Sequence, residues 1–539
     1  MPPLVVSEVR RRTSLPRLLA VVGVLWMGGL HAQSPDQPAE PPRDALPHLR
    51  ISAAGVTIPD EPKLDVTLAV ELPGAGTGYV GPAGVELRGR SSLTFAKKSF
   101  GLELRDAAGE DFAYPLLGLP ADDDWVLHGP YADRTLMRNA LSYRIARATG
   151  RYAPRTRYCH LSVDGDYRGL YLLVEKVQPH PARVDIDPAD AATPPAEGDY
   201  LLEINFERER AADGWQSRLS STTEYDLRFE YQFVRPRPSE ITAAQADYLE
   251  DWMHELEAAL RADGTDFDPG EYVDLDAWVD YVLANELARD VDAYNGSTYL
   301  VKRGRGKLAP GPVWDHNFAY GNADYAWGSE DSCDTAVGFA IDSVGSCVDK
   351  PTPLIFGELW RRPTVRRRAA ARWAELRQGA FGPTLHHVLD SLETVVASAQ
   401  ARNFARWPVH GRYLWPNEFV GDNWAEDVDY LRDWLHRRLA WLDQAFLTIA
   451  DAAPGDELDF AVHPNPAPRG LGAVATMTTP VAGPVRVQLL DYAGTTLYEG
   501  AFANRYATQP LARNLEPGIY LVRMSNGTTS ATRRLIVSD

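Results

Sequence analysis

Two hydrophobic spacings divide the chain. Between residues 46 and 180 apolar positions mostly alternate, first in LRISA and LDVTLAVEL, joined through IPDEPK, and then, after a glycine-rich turn from Gly74 to Gly84, in VELRGRSSLTFAKKSFGLEL. In its last part Phe100, Leu102 and Leu104 point one way and Ser99, Gly101 and Glu103 the other, which predicts a strand with one buried face and a β-rich opening lobe. DRTLMRNALSYRIARATG interrupts this texture with a helical stripe through Leu136, Ala140, Leu141, Ile145 and Ala148, stopped at Gly150. CHLSVDGDYRGLYLLVEKV then reads as a hairpin turning on Asp164-Gly165.

The period changes after residue 240. AAQADYLEDWMHELEAAL is amphipathic through Tyr248, Leu249, Trp252, Met253 and Leu256, and LDAWVDYVLANELARD repeats the pattern with Leu275, Trp278, Val279, Val282 and Leu283 inward. STYLVKR and the approach to PGPVWDHN are β-like. Further helices are predicted at about 363–380, 383–403 and 423–448, with Trp373, Trp434 and Trp441 in their core, while Trp415 is expected to pack beneath a loop. From about residue 460, VRVQLLD, TTLYEG, GIYLVRMS and TRRLIVS supply short strands between glycine, asparagine and serine turns, the texture of a small β-sandwich.

A length of 539 residues exceeds what one core usually fills, so at least two folded units are expected. The formal charge of -19 argues against broad capture of nucleic acid, while leaving room for a locally basic pocket. Arg10, Arg11, Arg12 and Arg17, then LLAVVGVLWMGGL and His31-Ala32, have the order of a signal peptide over residues 1–32, and Pro35, Pro38, Pro41 and Pro42 mark a disordered linker over 33–45. No later run is long enough for a bilayer, so no stable transmembrane segment is expected after signal removal. Cys333 and Cys347 close a short loop and suit a disulfide in an oxidising compartment, whereas Cys159 in TRYCHLSV reads as a buried small hydrophobe. The absence of CxxC and HExxH leaves a zinc site without support.

Acidic and amide residues gather in ELARDVDAYNGSTYLVKRGRGKLAPGPVWDHN. A helix ending near Asp290, a turn through Asp292 and Asn295, and a strand pair returning at Asp315 and Asn317 would bring oxygen ligands and a base together, as phosphoryl transfer requires. The plainer use of these residues is capping and solvating turns. Lys97 and Lys98, two of only seven lysines, precede a predicted strand, and Glu175 is placed to hold one by an ion pair; neighbours on a strand face opposite ways, so at most one points into a cleft, and Lys98 is favoured because it shares a face with Phe100 and Leu102. Ordinary exposed charge is the alternative. GxxxxGK[ST], HRDLxxxxN and DFG are absent, which excludes by motif a P-loop enzyme and an ordinary protein kinase, and the absence of GxSxG leaves a serine hydrolase poorly supported.

LRGRSSLTFAKKSFGLEL, LLGLPADDDWVLHGPYADRTLMRNALSYRIARATG, VDGDYRGLYLLVEKV, NELARDVDAYNGSTYL and VWDHNFAYGNADY, in this order, resemble the CotH kinase family, named after a spore coat protein, over about residues 47–448. The resemblance implies an α+β, atypical protein-kinase-like fold over 46–448 with a mainly helical C-terminal lobe, followed by a linker (449–460) and a small β-sandwich (461–539). It also implies binding of ATP with Mg²⁺ or Mn²⁺. On this chain it assigns phosphate contact to Lys97 or Lys98, an acidic companion to Glu175, catalysis to Asp292 and metal ligation to Asp315. Asn317 stands where the family's WDxD pattern often has a second acid; as the second metal position its amide oxygen coordinates with less charge, so that either metal affinity is weaker or Asn295 shares the task. Asp290 is a rival to Asp292, because it lies five residues before Asn295. VHPNPA and EPGIYLVRMSNGTTSATRRLIV resemble the opening and closing strands of a type IX secretion sorting domain. The expected partners are therefore that secretion machinery and an exported or surface protein phosphorylated on Ser or Thr, with passage through the periplasm to the outer surface or medium. The alternative is a non-catalytic surface or coat-assembly protein that uses the same fold for binding.

Overall fold

The computed structural model describes residues 45–538 except 75, 206–212, 220–227, 262–267, 324–334, 343–351, 452–459, 464, 466, 470–472, 478–484, 492–493, 502–507, 512–514 and 527–529. The expected signal peptide and the Cys333–Cys347 disulfide lie outside the described residues, as does the lead-in up to residue 44.

The opening lobe is a closed barrel. Its strands are β1 (His48–Ser52), β2 (Leu64–Leu72), β3 (Gly76–Arg88), β4 (Ser99–Leu104), β5 (Asp124–His128), β6 (Thr156–Val163) and β7 (Asp166–Glu175), in the order β1-β2-β3-β4-β5-β7-β6. Closure comes from parallel pairing of β1 with β6, His48 opposite His160; the other pairs are antiparallel. Leu68, Val85, Leu102, Leu127, Leu161 and Leu173 fill the interior without solvent contact, each contributing about 2 kcal/mol of burial. The predicted inward row Phe100, Leu102 and Leu104 is there, but the other face of β4 is not open to water: Ser99 and Gly101 are also buried. Gly129 permits the close approach after β5, since a Cβ there would lie 2.6 Å from the Lys98 carbonyl oxygen. The β6–β7 hairpin turns on Asp164 and Gly165, both at positive φ, and Cys159 is buried in β6 as its context predicts.

Helix α1 (Arg138–Ala148) starts later than its hydrophobic stripe suggests. Asp133 takes over the preceding turn: its carboxylate accepts from the Thr135 N–H (3.1 Å) and hydroxyl (2.6 Å) and from the Arg138 N–H (2.8 Å), and pairs with the Arg138 guanidinium at 2.7 Å. A second sheet joins β8 (Asp199–Asn205), β9 (Gly214–Gln216), β10 (Glu230–Arg235), β11 (Thr298–Arg303) and β12 (Leu308–Pro310) in the order β12-β11-β8-β10-β9. Two long helices, α2 (Ala243–Arg261) and α3 (Leu275–Ala288), precede β11. Asp274 caps α3 through the N–H groups of Asp276 and Ala277, and the left-handed Arg289 ends it.

The helical lobe continues with α4 (Leu354–Trp360), α5 (Pro363–Arg377), α6 (Pro383–Ala397), α7 (Gln400–Arg406) and α8 (Trp424–Asp451). The single helix predicted over 383–403 is two, broken at Ser398-Ala399, and α4 is additional. Trp373 and Trp434 are buried in the common core, with Trp441 packed against it. Trp415 departs from expectation: it is 46% exposed, edge-on to Phe318 at 6.0 Å between ring centres. Among the described residues no helix is long and apolar enough to cross a membrane.

The C-terminal part comprises β13 (Phe460–His463), β14 (Ala467–Pro468), β15 (Val474–Met477), β16 (Arg486–Leu490), β17 (Thr496–Ala501), β18 (Thr508–Pro510), β19 (Gly518–Ser525) and β20 (Ser530–Ser538). A three-stranded sheet, β13-β15-β18, and a five-stranded sheet, β14-β20-β19-β16-β17, share one core, with Ala475 and Met477 from the first and Val487, Val522, Met524 and Leu535 from the second.

Candidate functional site

The segments after α3 and after β12 carry unusual backbone. Of the nine described non-glycine residues at positive φ, five fall here: Arg289, Tyr294, Ser297, Asp315 and Tyr320. Such conformations persist where surrounding contacts over-determine them. Those contacts are present. Tyr320 donates its N–H to the Ala288 carbonyl (2.7 Å), and its hydroxyl meets Ser142 (2.9 Å), which also meets His316 Nδ1 (2.9 Å). Arg138 Nε donates to the Ala319 carbonyl at 3.0 Å. On the other side Glu286, fully buried, accepts from Tyr294 Oη (2.9 Å), from the N–H groups of Ala340 and Ile341 (both 2.8 Å) and from Arg438 (3.1 Å). Helices α1, α3 and α8 thus fix both acidic segments.

Asp315 follows Trp314, whose indole stacks on Tyr143 of α1 (ring centres 5.9 Å apart, planes within 13°) and lies under the Arg88 guanidinium at 5.5 Å. The Asp315 N–H donates to Tyr143 Oη at 3.1 Å. Its side chain reaches solvent, while the protein atoms packed around the carboxyl displace part of its hydration. Loss of hydration there pushes its carboxyl up to about 6; Arg88 pulls the other way and the Asp292 charge adds to the rise. Glu203, in the middle of β8 and opposite Tyr299 of β11, is raised to about 7, by burial first, with Arg88 opposing and Asp315 reinforcing. Asn317 lies against Asp315: in the orientation that satisfies both groups, its amide nitrogen donates to the Asp315 carbonyl (3.2 Å) and carboxylate.

The charges of Asp292, Arg88 and Glu203 thus act on or with that of Asp315, and Asn317 lies against it. Asp292 is half-buried, whereas its rival Asp290 is buried, which leaves Asp292 the more accessible carboxylate. Asn295 is buried with its Oδ1 lacking a hydrogen-bond donor. The donors of these segments are carboxylate and amide oxygens, the set preferred by Mg²⁺ or Mn²⁺, and the unmatched Asn295 oxygen and the crowded carboxylates fit a hard cation. Among the described residues no group of three or more His, Cys, Asp and Glu is arranged to hold a metal by itself.

The expected lysine–glutamate pair is not formed. Lys97 is 1% exposed, and its ammonium donates to the Leu170 carbonyl (2.6 Å) and Asn403 Oδ1 (2.8 Å) and faces the Tyr171 ring at 4.9 Å. That wrapping leaves it no open side for a phosphate. Lys98, half-buried, donates to the Leu93 carbonyl. Glu175, fully buried, is held by Arg155 (2.7 Å to the guanidinium, 2.8 Å to the N–H). The cation that faces the acidic groups is Arg88. Sequence reasoning missed it and Glu203, although each leaves a trace: Arg88 lies in LRGRSS, and Glu203 interrupts the apolar strand YLLEIN.

The profile described as CotH kinase protein matches residues 85–442, and that described as secretion system C-terminal sorting domain matches residues 461–538. No curated protein matches. Among solved structures, the alkylpurine DNA glycosylase AlkC of Pseudomonas fluorescens, bound to DNA containing an abasic site analog, aligns at 14% identity and a TM-score of 0.11 over 40% of this chain. The chain spans 62% of that structure's length.

Proposed function

The chain belongs to the CotH kinase protein family and ends in a secretion sorting domain that makes it a secreted or cell-surface protein; on that premise we propose an exported, ATP- and metal-dependent protein kinase acting on Ser or Thr. The observation that carries this reading is that Asp292 and Arg88 both lie near enough to Asp315 for their charges to act on its carboxyl. In this reading Asp292 orients the acceptor hydroxyl and takes its proton. Asp315 holds Mg²⁺ or Mn²⁺ with Asn295 or with Asn317, whose amide offers its oxygen after a half-turn. When bound, the cation neutralises charge on the phosphate oxygens. Arg88, with Arg90 two residues on, takes the phosphate-facing role expected of a lysine. The type IX secretion machinery is the export partner in the same proposal.

Purified exported chain, mixed with ATP, Mg²⁺ or Mn²⁺ and candidate surface proteins, tests it. Metal-dependent phosphate incorporation lost in Asp292→Ala and Asp315→Ala supports the kinase; absence of nucleotide binding overturns it. A second reading, a non-catalytic surface or coat-assembly protein, draws on the lack of a three-ligand metal cluster among the described residues. It predicts nucleotide binding without turnover, or none.

A further inference from the structure

A cavity of about 480 Å³ opens at the end of the barrel where β2 turns into β3. Leu46, Val70, Leu72, Tyr79, Leu116 and Val395 are among its walls, and Gly78 contributes bare backbone. The tyrosine hydroxyls along it are satisfied by the protein: Tyr79 by the Pro82 carbonyl (3.1 Å), Tyr158 by the Leu136 carbonyl (2.7 Å) and Tyr114 by the Gly78 carbonyl. Two arginines share the lining, Arg144 of α1 and Arg157 of β6. Arg157 donates only to the adjacent Thr156 carbonyl (2.9 Å), and among the described residues neither guanidinium has a carboxylate partner. Their neighbours differ: Arg155 pairs with Glu175, and Arg147 donates to the Ala153 (3.1 Å) and Pro154 carbonyls. Burial holds the Arg144 guanidinium below its usual pKa, with Tyr158 opposing and Arg157, itself exposed at the rim, adding to the fall. In a chain with a net charge of -19, two cations left against each other beside an apolar cavity form a site complementary to a negative head on a hydrocarbon tail.

We propose that this cavity binds a long-chain carboxylate, its tail between Leu72, Leu116 and Val395 and its head on Arg144 and Arg157. The volume suits one chain rather than a two-tailed lipid, and this binding is independent of the kinase reading, since it uses none of the residues assigned there. The test is titration calorimetry of the exported chain with dodecanoate and with dodecanol, below the concentration at which either aggregates. The proposal expects saturable binding of the acid, at least about tenfold weaker binding of the alcohol, and an equal loss in the Arg144→Glu, Arg157→Glu double variant. Val395→Trp, which fills the cavity without touching the charges, abolishes both, and circular dichroism confirms that each variant is folded. Equal affinity for acid and alcohol, indifference to charge reversal, or no saturable binding overturns it. So does binding that appears only when residues 33–44 are removed, which would make the chain's own lead-in the occupant.

Discussion

Two sets of polar groups, Lys97 and Glu175 with their partners and the acidic groups around Asp315, treat their charges in opposite ways. Lys97 and Glu175 are each closed off: the ammonium by two carbonyls, an amide and an aromatic face, the carboxylate by Arg155 and a backbone N–H. In the second set, Asp315 reaches solvent, Glu203 is held near neutrality, and the buried Asn295 oxygen lacks a donor. Residue type does not distinguish the two, since each has a cation beside an acid. What distinguishes them is satisfaction: a completed network fixes structure, while an incomplete one keeps capacity for a ligand.

The largest effect that would break this comparison is catalytic. Asp292→Ala and Asp315→Ala should each lower phosphate incorporation by about 10³-fold or more, read with radiolabelled ATP, with the urea midpoint little changed. Glu175→Ala should do the reverse. Without the carboxylate, the half-buried Arg155 guanidinium and its N–H lose their acceptor, at a cost of about 1–3 kcal/mol by urea denaturation, while the folded fraction keeps its nucleotide affinity. Arg88→Ala should weaken metal–ATP binding by about 10–100-fold, against less than about twofold for Lys98→Ala, by calorimetry. Equal losses would dissolve the contrast between closed and open regions.

The smallest effect concerns pH. Burial lowers His48, on β1 with Ser162 at 2.9 Å, to about 4, with Arg50, His160 and Arg402 adding to it and Glu71 opposing. The unfolded chain takes up a proton at this site below about 6.5 that the folded barrel accepts only near 4, so its stabilising contribution is present above 6.5 and is lost as pH falls towards 4. The urea midpoint should fall less steeply over that window in His48→Gln.

Much of the fold is legible in the sequence because it is local. LDVTLAVEL alternates as its strand does, Asp164-Gly165 marks its hairpin, and LDAWVDYVLANELARD shows the period of α3. The break at Ser398-Ala399 carries no glycine or proline, and α4, seven residues long, is too short to show a period. Of the site, the acidic and amide residues from 290 to 317 are readable because one helix end and one strand pair bring them together. Arg88 and Glu203 are not, because barrel closure and the β8–β11 pairing place them and neither leaves a periodic signal. The lysines mislead for a related reason: Lys97 is sealed by groups distant in sequence, Leu170 and Tyr171 of β7 and Asn403 of α7.

The most direct test is calorimetric titration of the exported chain with ATP in the presence and absence of Mn²⁺. The account predicts saturable binding that requires the metal, disappears in Asp315→Ala and survives in Lys98→Ala. Binding indifferent to metal and to Asp315, or no binding to a demonstrably folded chain, would contradict it.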